Sequence, residues 1–341
     1  MNKVLSIIIP TYNMERYLRK CLDSLIVSDE NMQLLEVLVI NDGSKDSSSQ
    51  IAHEYENKYP QTFRVINKEN GNYGSCINRG LKEAKGKYVK ILDADDYSEA
   101  IALEEYLSYL KELDADLVLS DFDVVDPDGK ILQNKSYTSL ISQEDGVVSF
   151  INMINNRSNI ALSMHAITYR LKLLVDMEYA QTEGISYTDQ EWATMPIIHV
   201  KTVAYFHQTL YKYLIGREGQ TMASYLEVKN HNQLFIVIRN IARLYEAQSH
   251  DFAYNAYLEE KIMKLMATIY YAGLRDKTIS KEELIVYDSQ LKCYPKSYAL
   301  TDKIKLIRNH ISFVKHWHSD NKLTSFLCVE IPIIIRNFCK R

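Results

Sequence analysis

The first 125 residues alternate short apolar runs with segments of helical periodicity, and this alternation constrains the fold more than any other feature. The runs VLSIIIP (residues 4–10) and LEVLVI (residues 35–40) are nearly continuous in apolar residues, as expected for strands covered on both faces. Between them, residues 14–26 place leucines at helical spacing. The pattern predicts an α/β fold built from βαβ units, with a mixed, mostly parallel sheet flanked by helices.

The same pattern continues and then changes, which predicts two domains. Further strand-like runs are FRVINK, KYVKIL and DLVLSDFDVV, and the turn DPDG predicts a hairpin back through KILQ. From about residue 225 the apolar residues follow a 3.6-residue period and strand-like runs become rare. We therefore predict a first domain over residues 1–224 and a smaller, mostly helical domain over residues 225–341.

Composition excludes several classes of protein. The chain has 341 residues and a formal net charge of -4, so it lacks the basic field of nucleic-acid-binding proteins, and no nucleic acid is expected as partner. Five cysteines without a C-x-x-C pair indicate reduced thiols. The opening apolar run stops at Pro10 and predicts a strand rather than a signal peptide. No apolar run is long enough to predict a transmembrane helix.

Polar clusters follow four of the predicted strands. They are PTYN, NDGSKD, NKENGNYG and DADD, and ligands of open α/β sheets bind at the carboxyl ends of strands. Asp93 and Asp95 are two residues apart, so in extended backbone they face one side and one cation. Mg²⁺ and Mn²⁺ prefer such oxygen ligands. Alternatively, these residues only bond local backbone, as Asp96 would before a helix.

Four segments, in this order, carry a family resemblance. SIIIPTYN, VLVINDGSKDSS, GNYGSCINRGLKEAKGKYVKILDADD and YTDQEW resemble the motifs of family 2 of the nucleotide-sugar glycosyltransferases, which have the Rossmann-like GT-A fold. The resemblance covers approximately residues 3–220. It implies transfer of a sugar from a nucleoside diphosphate donor, with inversion at the anomeric carbon.

The resemblance also assigns the residues that bind a UDP-sugar donor. Asp42 is similar to the acid that accepts an N–H group of the uracil ring, and a charge-assisted hydrogen bond of this kind is strong. Without the resemblance, the same residues would be ordinary turn and loop positions. The segments lining the base, the nucleoside and the donor sugar comprise Pro10, Thr11, Tyr12, Asp42, Asn70, Gly71 and Gly74.

The D-x-D pair of the family matches Asp93, Ala94 and Asp95. The resemblance implies that Asp95 contacts Mn²⁺ or Mg²⁺ most directly and that Asp93 contacts ribose or sugar hydroxyls, with Ala94 between them at the donor. His207 is a candidate third metal ligand, because imidazole suits Mn²⁺; the alternative is a structural histidine in a strand.

An inverting transfer needs a general base, and YTDQEW supplies Asp189 at the matching position. The preceding residue is Thr188, where the family more usually has Glu. Thr188 and Glu191 also have the spacing of a capping box, which would place Asp189 in a first helical turn. Both interpretations of Asp189 stay open. After the base, Arg217 and Gln220 either hold the leaving phosphates or form a solvated turn.

The expected acceptor is a glycan or a lipid-linked saccharide of a surface polysaccharide. The chain lacks the Q-x-x-R-W motif of processive synthases, so we expect transfer of one sugar. The alternatives are a metal-dependent nucleotidyltransferase and a catalytically inactive binding protein of this fold. Residues 326–341 join an apolar run to a basic end and predict peripheral contact with the inner face of the cell membrane, or a final packed element. A cytoplasmic location and a homodimer through the helical domain are further expectations.

Overall fold

The computed structural model describes most of the chain. The described residues are 3–142, 146–155, 160–217, 220, 230–247, 252–275, 278–304 and 313–318. The chain divides into two units, Met1–Gln220 and Thr221–Arg341. The segment 326–341, for which membrane contact is expected, lies outside the described residues. Within the described part of the chain, no helix combines the length and the apolar character needed to span a membrane.

The first unit is built on one mixed ten-stranded sheet. Its main path has the order β3-β2-β1-β4-β9-β6-β10-β5, with β7 on β6 and β8 on β10. Strands β3, β2, β1 and β4 run parallel, as do β6 and β10, and the remaining pairs are antiparallel. The strands are β1 (Leu5–Thr11), β2 (Leu35–Asn41), β3 (Phe63–Asn67), β4 (Tyr88–Ile91), β5 (Tyr97–Ser98), β6 (Leu117–Val125), β7 (Ile131–Lys135), β8 (Val148–Ser149), β9 (Ile167–Arg170) and β10 (Thr202–Leu214).

Helices connect and flank these strands, as the alternating sequence pattern predicts. Short 3₁₀ turns at Met164–Ala166 and Pro196–His199 accompany them. The helices of the first unit are α1 (Leu18–Asp23), α2 (Asp29–Leu34), α3 (Ser48–Lys58), α4 (Asn72–Glu83), α5 (Ala100–Glu112), α6 (Phe150–Ile154), α7 (Leu171–Asp176) and α8 (Asp189–Trp192).

Helix α4 lies very close to the sheet. A Cβ atom on its Gly80 would be 2.6 Å from Cγ2 of Ile8, a fully buried residue of β1. Glycine at this position therefore lets the helix backbone approach the strand. The contact fixes the axis of α4, and with it the place of the first turn of the helix beside the carboxyl ends of β1 and β2.

The α/β fold predicted from the sequence is confirmed, with two local differences. The pattern predicts the helix after β3 only over residues 78–86, whereas α4 begins at Asn72. The carboxylate of Asp42 accepts the N–H groups of Gly71 and Asn72, so a distant side chain stabilises a helix start that reads locally as loop. In addition, β9 inserts antiparallel between β4 and β6. Pairing of this kind depends on contacts distant in sequence, which local patterns do not encode.

The second unit is helical in its described residues. Its helix α11 begins with a capping box, in which the Ser280 hydroxyl accepts from the Glu283 N–H and the Glu283 carboxylate accepts from the Ser280 N–H. The role expected for this unit in acceptor, membrane or oligomer contacts stays a prediction. The described helices are α9 (His231–Ala247), α10 (Phe252–Tyr270), followed by a π-helical turn (Tyr271–Arg275), α11 (Lys281–Leu291), α12 (Pro295–Thr301) and α13 (Phe313–His318).

Candidate active site

The predicted base-binding segment lies at the ends of β1 and β2. Pro10 and Thr11 are the last residues of β1, and Pro10 is in register with Ile40 of β2. The backbone carbonyl of Thr11 accepts from the N–H group of Asp42 at 2.9 Å. Tyr12 follows and leaves 46% of its surface exposed, so a flat aromatic ring is available to a ligand beside Asp42.

The Asp42 carboxylate is buried and holds the loop that leads into α4. Oδ1 accepts from Nζ of Lys68 at 2.6 Å and from the N–H of Gly71 at 3.0 Å, and Oδ2 accepts from the N–H of Asn72 at 2.9 Å. The Asn70 amide donates to the backbone carbonyl of Asp42 at 3.0 Å. The structure thus brings Asp42, Asn70 and Gly71 together around one buried carboxylate.

Lys68 is a residue beside Asp42 that the sequence interpretation missed. All three of its N–H groups have acceptors, on Asp42, on the Glu69 carbonyl and on the Ser75 hydroxyl. The available signal was a lysine that directly follows β3, in the same polar cluster as Asn70. Lys68 balances the charge of the buried Asp42 carboxylate and shapes the loop in front of it.

An acidic cluster follows β4, as the D-x-D pattern predicts. Oδ1 of Asp93 accepts from the phenol of Tyr73 at 2.8 Å. Asp96 is only 1% exposed, and its carboxylate accepts from the Tyr211 hydroxyl at 2.6 Å and from the Leu214 N–H at 2.7 Å. The neighbouring Asp95 forms an ion pair with Nε of Arg217. Ala94 is buried between Asp93 and Asp95.

The electrostatics of this cluster favour a cation. Burial and the charge of Asp95 raise the pKa of Asp93, and the charge of Asp189 raises it further. Burial, followed by the charges of Asp95 and Asp93, raises the pKa of Asp96 well above its usual range. Among the charges that shift the pKa of Asp93, Arg217 is the positive one, and it lowers this pKa. The charge of Asp189 is thus close enough to act on the Asp93 carboxyl.

Three side chains in this site have the arrangement of metal ligands. One ligand atom each from Asp93, Asp96 and His165 lies within 4.8 Å of the others. Burial and the nearby Lys90 lower the pKa of His165 to about 3, so its imidazole is neutral, as a metal ligand must be. Carboxylates with an imidazole suit Mn²⁺, and carboxylates alone suit Mg²⁺. The residues present therefore fit the expected cofactor.

The two residues predicted as metal ligands lie differently from this group. Asp95 adjoins it, but its carboxylate pairs with Arg217. His207 is on β10, where its ring lies against Tyr205 with ring centroids 3.8 Å apart. In the part of the chain that the structure describes, His165 and not His207 is grouped with the acids. The metal roles of Asp95 and His207 stay predictions.

His165 and Lys90 were not identified from the sequence. His165 lies in a segment without clear periodicity, which hides its approach to the acids. Lys90 gives a better signal, because it is a single charge in the apolar strand β4. Its Nζ donates to the backbone carbonyls of His165 at 2.6 Å and Ile167 at 3.4 Å, so it fastens the His165 segment to β4.

Asp189 is the first residue of α8, and its Oδ2 accepts from Nε2 of Gln190 at 2.6 Å. The predicted capping box is wrong. Thr188 has helical φ and ψ angles of -76° and -6°, instead of the extended backbone that directs a capping side chain to the helix start. The Glu191 carboxylate contacts Thr182 in a different loop.

The remaining predicted residues, Arg217 and Gln220, make different kinds of contact. Arg217 pairs with Asp95, and its guanidinium lies 5.4 Å from the ring centroid of Tyr17. Gln220 bonds the chain just before it, donating to the Leu214 carbonyl at 2.7 Å and accepting from Gly216 at 3.0 Å. Thus the structure brings Arg217 to the acidic cluster, while the described bonds of Gln220 hold a turn.

Comparison with known proteins gives the family context of this site. Residues 6–167 match the model of the family described as Glycosyl transferase family 2. The chain is 38% identical over 119 residues to an uncharacterized glycosyltransferase of Mycoplasma pneumoniae, covering 34% of this chain and 38% of that protein. It is 29% identical over 220 residues to TarS of Staphylococcus aureus, a poly(ribitol-phosphate) beta-N-acetylglucosaminyltransferase, covering 64% of this chain and 37% of TarS. The chain thus spans less than two fifths of the length of these two relatives.

Solved structures show the same fold. TarS residues 1–349 in complex with UDP-GlcNAc superpose with a TM-score of 0.68 at 23% identity, covering 87% of this chain and 83% of that chain. The mannosyltransferase PcManGT of Pyrobaculum calidifontis, in complex with GDP-Man and Mn²⁺, gives a TM-score of 0.53 at 15% identity, covering 88% of this chain and 84% of that chain. The GT-A fold expected from the motifs is therefore confirmed.

Proposed function

The chain belongs to glycosyl transferase family 2 through residues 6–167, and from this premise we propose that it is an inverting enzyme that transfers one sugar from a UDP-sugar. The acceptor is a hydroxyl of a glycan or a lipid-linked saccharide in surface polysaccharide synthesis. TarS supports this choice, because it acts on poly(ribitol-phosphate) and its solved complex holds UDP-GlcNAc.

One observation carries the proposal: a single helix start joins the predicted base pocket to the acidic cluster. Asp42 holds the N–H groups of Gly71 and Asn72, and the next residue, Tyr73, donates to Asp93. A nucleoside at Asp42 and a diphosphate at the D-x-D pair would therefore lie along one continuous surface. This arrangement suits a nucleotide-sugar better than a nucleotide or a sugar alone.

The chemistry at the donor end follows from the groups present. The Asp42 carboxylate accepts the N–H group of uracil in this proposal, as a charge-assisted hydrogen bond. Asp95 and Asp93 would hold Mn²⁺ or Mg²⁺, with His207 the predicted third ligand and His165 the alternative in the described cluster. When bound, the ion supplies Lewis-acid neutralisation of the departing diphosphate. Arg217, already at Asp95, offers a planar fork of donors to the same phosphates, and Gln220 is the second proposed phosphate contact.

The chemistry at the acceptor end needs one proton transfer. The acceptor oxygen forms a bond to the anomeric carbon while the bond from that carbon to the diphosphate oxygen breaks. A carboxylate oxygen of Asp189 takes the hydroxyl proton during this attack. The effect of Asp189 on the pKa of Asp93 supports its position beside the donor. Inversion follows because acceptor and leaving group are on opposite faces of the carbon.

Calorimetry with UDP-sugars and GDP-sugars, with and without Mn²⁺, tests the donor and the metal together. We expect Mn²⁺-dependent binding of a UDP-sugar, lost in Asp95→Ala. Asp189→Asn should keep donor binding but no longer form free UDP from the donor, because transfer is lost. Asp128→Asn, which removes one carboxylate from an exposed turn, is the matched control. Equal UDP affinity with and without Mn²⁺ contradicts the metal assignment, and near-normal UDP release by Asp189→Asn contradicts the base. Absence of binding favours a nucleotidyltransferase or an inactive binding protein.

We further propose that the enzyme works in the cytoplasm at the inner face of the membrane, with its second unit contacting acceptor, membrane or a second copy. The basic, apolar segment 326–341 supports this proposal. The intact chain should sediment together with anionic vesicles, whereas a chain that lacks these 16 residues should stay in the supernatant. An intact chain that never binds the vesicles contradicts the membrane role.

A further inference from the structure

Helix α8 carries a second carboxylate besides the predicted base. Glu191 is only 1% exposed, and both of its oxygens accept from one residue of another loop. Oε2 accepts from the backbone N–H of Thr182 and Oε1 from its hydroxyl, each at 2.8 Å. Hydrogen bonds to an ionised acceptor are the stronger kind, and two of them fix direction as well as distance.

The loop that contains Thr182 is in turn fastened to α4. Asn78 accepts from the N–H of Gln181 at 2.8 Å and donates to its carbonyl at 2.9 Å. The Gly184 N–H donates to the Gly71 carbonyl at 3.0 Å. A Cβ atom on Gly74 would be 2.1 Å from the Thr182 carbonyl oxygen, so loop and helix backbones are in direct contact. The loop moves only if α4 moves with it.

These contacts form a continuous connection between the two ends of the site. Asp42 fixes the start of α4, α4 fixes the loop around Thr182, and Thr182 fixes Glu191. Asp189 is two residues before Glu191, in the same helical turn. A helix of four residues has no stability of its own in water, so tertiary contacts must determine where α8 lies. Thr188 makes no capping bond to help it.

We propose that Glu191 is a positioning residue: through Thr182 it fixes Asp189 relative to the donor-binding start of α4. The role rests on the proposed function, because Asp189 is the proposed base. An error of about 1 Å in the position of a reacting group lowers rates by about a hundredfold. Loosening the Glu191 contact should therefore lower kcat and leave donor binding intact, because neither residue touches the donor pocket at Asp42.

Three variants test this role by graded removal of the contact. Thr182→Ser keeps both hydrogen bonds, Thr182→Val keeps the backbone bond alone, and Glu191→Gln removes the charge. With UDP-GlcNAc as probe and water as acceptor, kcat should fall about tenfold in Thr182→Val and about tenfold to a hundredfold in Glu191→Gln. Thr182→Ser should retain most of kcat. The KM for UDP-GlcNAc and the calorimetric affinity for UDP should change by less than about twofold.

The double variant and a distant control exclude a general loss of folding. Combining Thr182→Val with Glu191→Gln should cost no more than the worse single change, because both break one contact. Thr268→Val, in α10 of the second unit, removes a hydroxyl that donates to the Lys264 carbonyl and should not change kcat. If the variants melt at lower temperature and lose activity only because less protein is folded, with kcat per folded molecule unchanged, the positioning role is overturned.

Hydrogen exchange gives a readout that does not depend on turnover. In the wild-type chain, UDP should slow amide exchange in residues 187–194, and Thr182→Val should weaken this effect while UDP still binds. UDP-dependent protection that is the same in both chains overturns the role of Glu191 and leaves the proposed function standing. A wild-type chain that does not bind UDP at all overturns the proposed function, and the positioning role with it.

Discussion

Lys90 allows a quantitative test of the electrostatics beneath the site. Its side chain is 3% exposed in β4, and Nζ donates only to the backbone carbonyls of His165 and Ile167 among the described contacts. Burial lowers its pKa from 10.5 to about 7, because the charged ammonium loses its hydration. The folded protein therefore releases this proton near neutral pH, whereas the unfolded chain keeps it until much higher pH.

The sign of the pH dependence follows from these two states. Between pH 7 and pH 10.5 the unfolded chain binds one more proton than the folded protein, so the free energy of unfolding rises with pH. One pKa unit corresponds to about 1.4 kcal/mol. Between pH 6 and pH 8 the folded protein loses most of this proton while the unfolded chain keeps it. Summed over this interval, the difference in bound protons adds about 1.4 kcal/mol to the free energy of unfolding.

The variant Lys90→Met isolates this contribution. It removes the titration, and it also removes the donor that Lys90 provides to the His165 carbonyl, at a cost of about 1–3 kcal/mol. That second cost does not depend on pH. We therefore expect the wild type to gain about 1.4 kcal/mol over Lys90→Met between pH 6 and pH 8, whatever their difference at pH 6.

Urea unfolding at pH 6, 7 and 8 measures the difference. The chain has two tryptophans, and Trp192 lies in the first unit, so a Trp317→Phe background lets fluorescence report that unit. Lys111→Met on α5 removes an exposed lysine and should give a difference that is flat with pH. A flat difference for Lys90→Met as well would show that the folded protein keeps the Lys90 proton to pH 8 and refute the reasoning.

Three further substitutions test other contacts. Gly74→Ala should lower stability by about 1–3 kcal/mol, because the new Cβ meets the Thr182 carbonyl oxygen; unchanged thermal unfolding would contradict this contact. Tyr211→Phe removes a donor from the buried Asp96 and should cost about 1–3 kcal/mol, which the midpoint of urea unfolding measures against the wild type. Ser280→Ala should cost the second unit about 1 kcal/mol by circular dichroism, and a loss of UDP affinity in this variant is not expected.

The first half of the fold is predictable because its information is local. Apolar runs at 4–10 and 35–40 become β1 and β2 almost residue for residue, since a strand buried on both faces leaves few alternatives. The start of α4 is not local, because Asp42 provides its capping bonds from 30 residues away. β9 likewise depends on its partners β4 and β6.

The candidate site follows the same division. Asp42, Asp93 and Asp189 stand in recognisable motifs, so sequence alone is enough to propose them as site residues. His165 lies near the acids only through contacts between distant elements, and Glu191, although it stands in the YTDQEW motif, bonds Thr182 in a loop that its spacing does not indicate. The capping-box prediction failed for a related reason: the spacing of Thr188 and Glu191 was right, but backbone angles and a competing donor in another loop decided the bonds.

Strand β9 has a consequence for engineering. It separates the parallel block β3-β2-β1-β4, which a single stretch of sequence forms, from the block that contains β6 and β10. The proposed contacts to the nucleoside come from the first block, whereas Asp189 and Arg217 come from chain beyond β9. A chimera with a related chain can therefore keep residues 5–95, which hold the first block and the D-x-D pair, as one inherited piece and exchange the chain that follows.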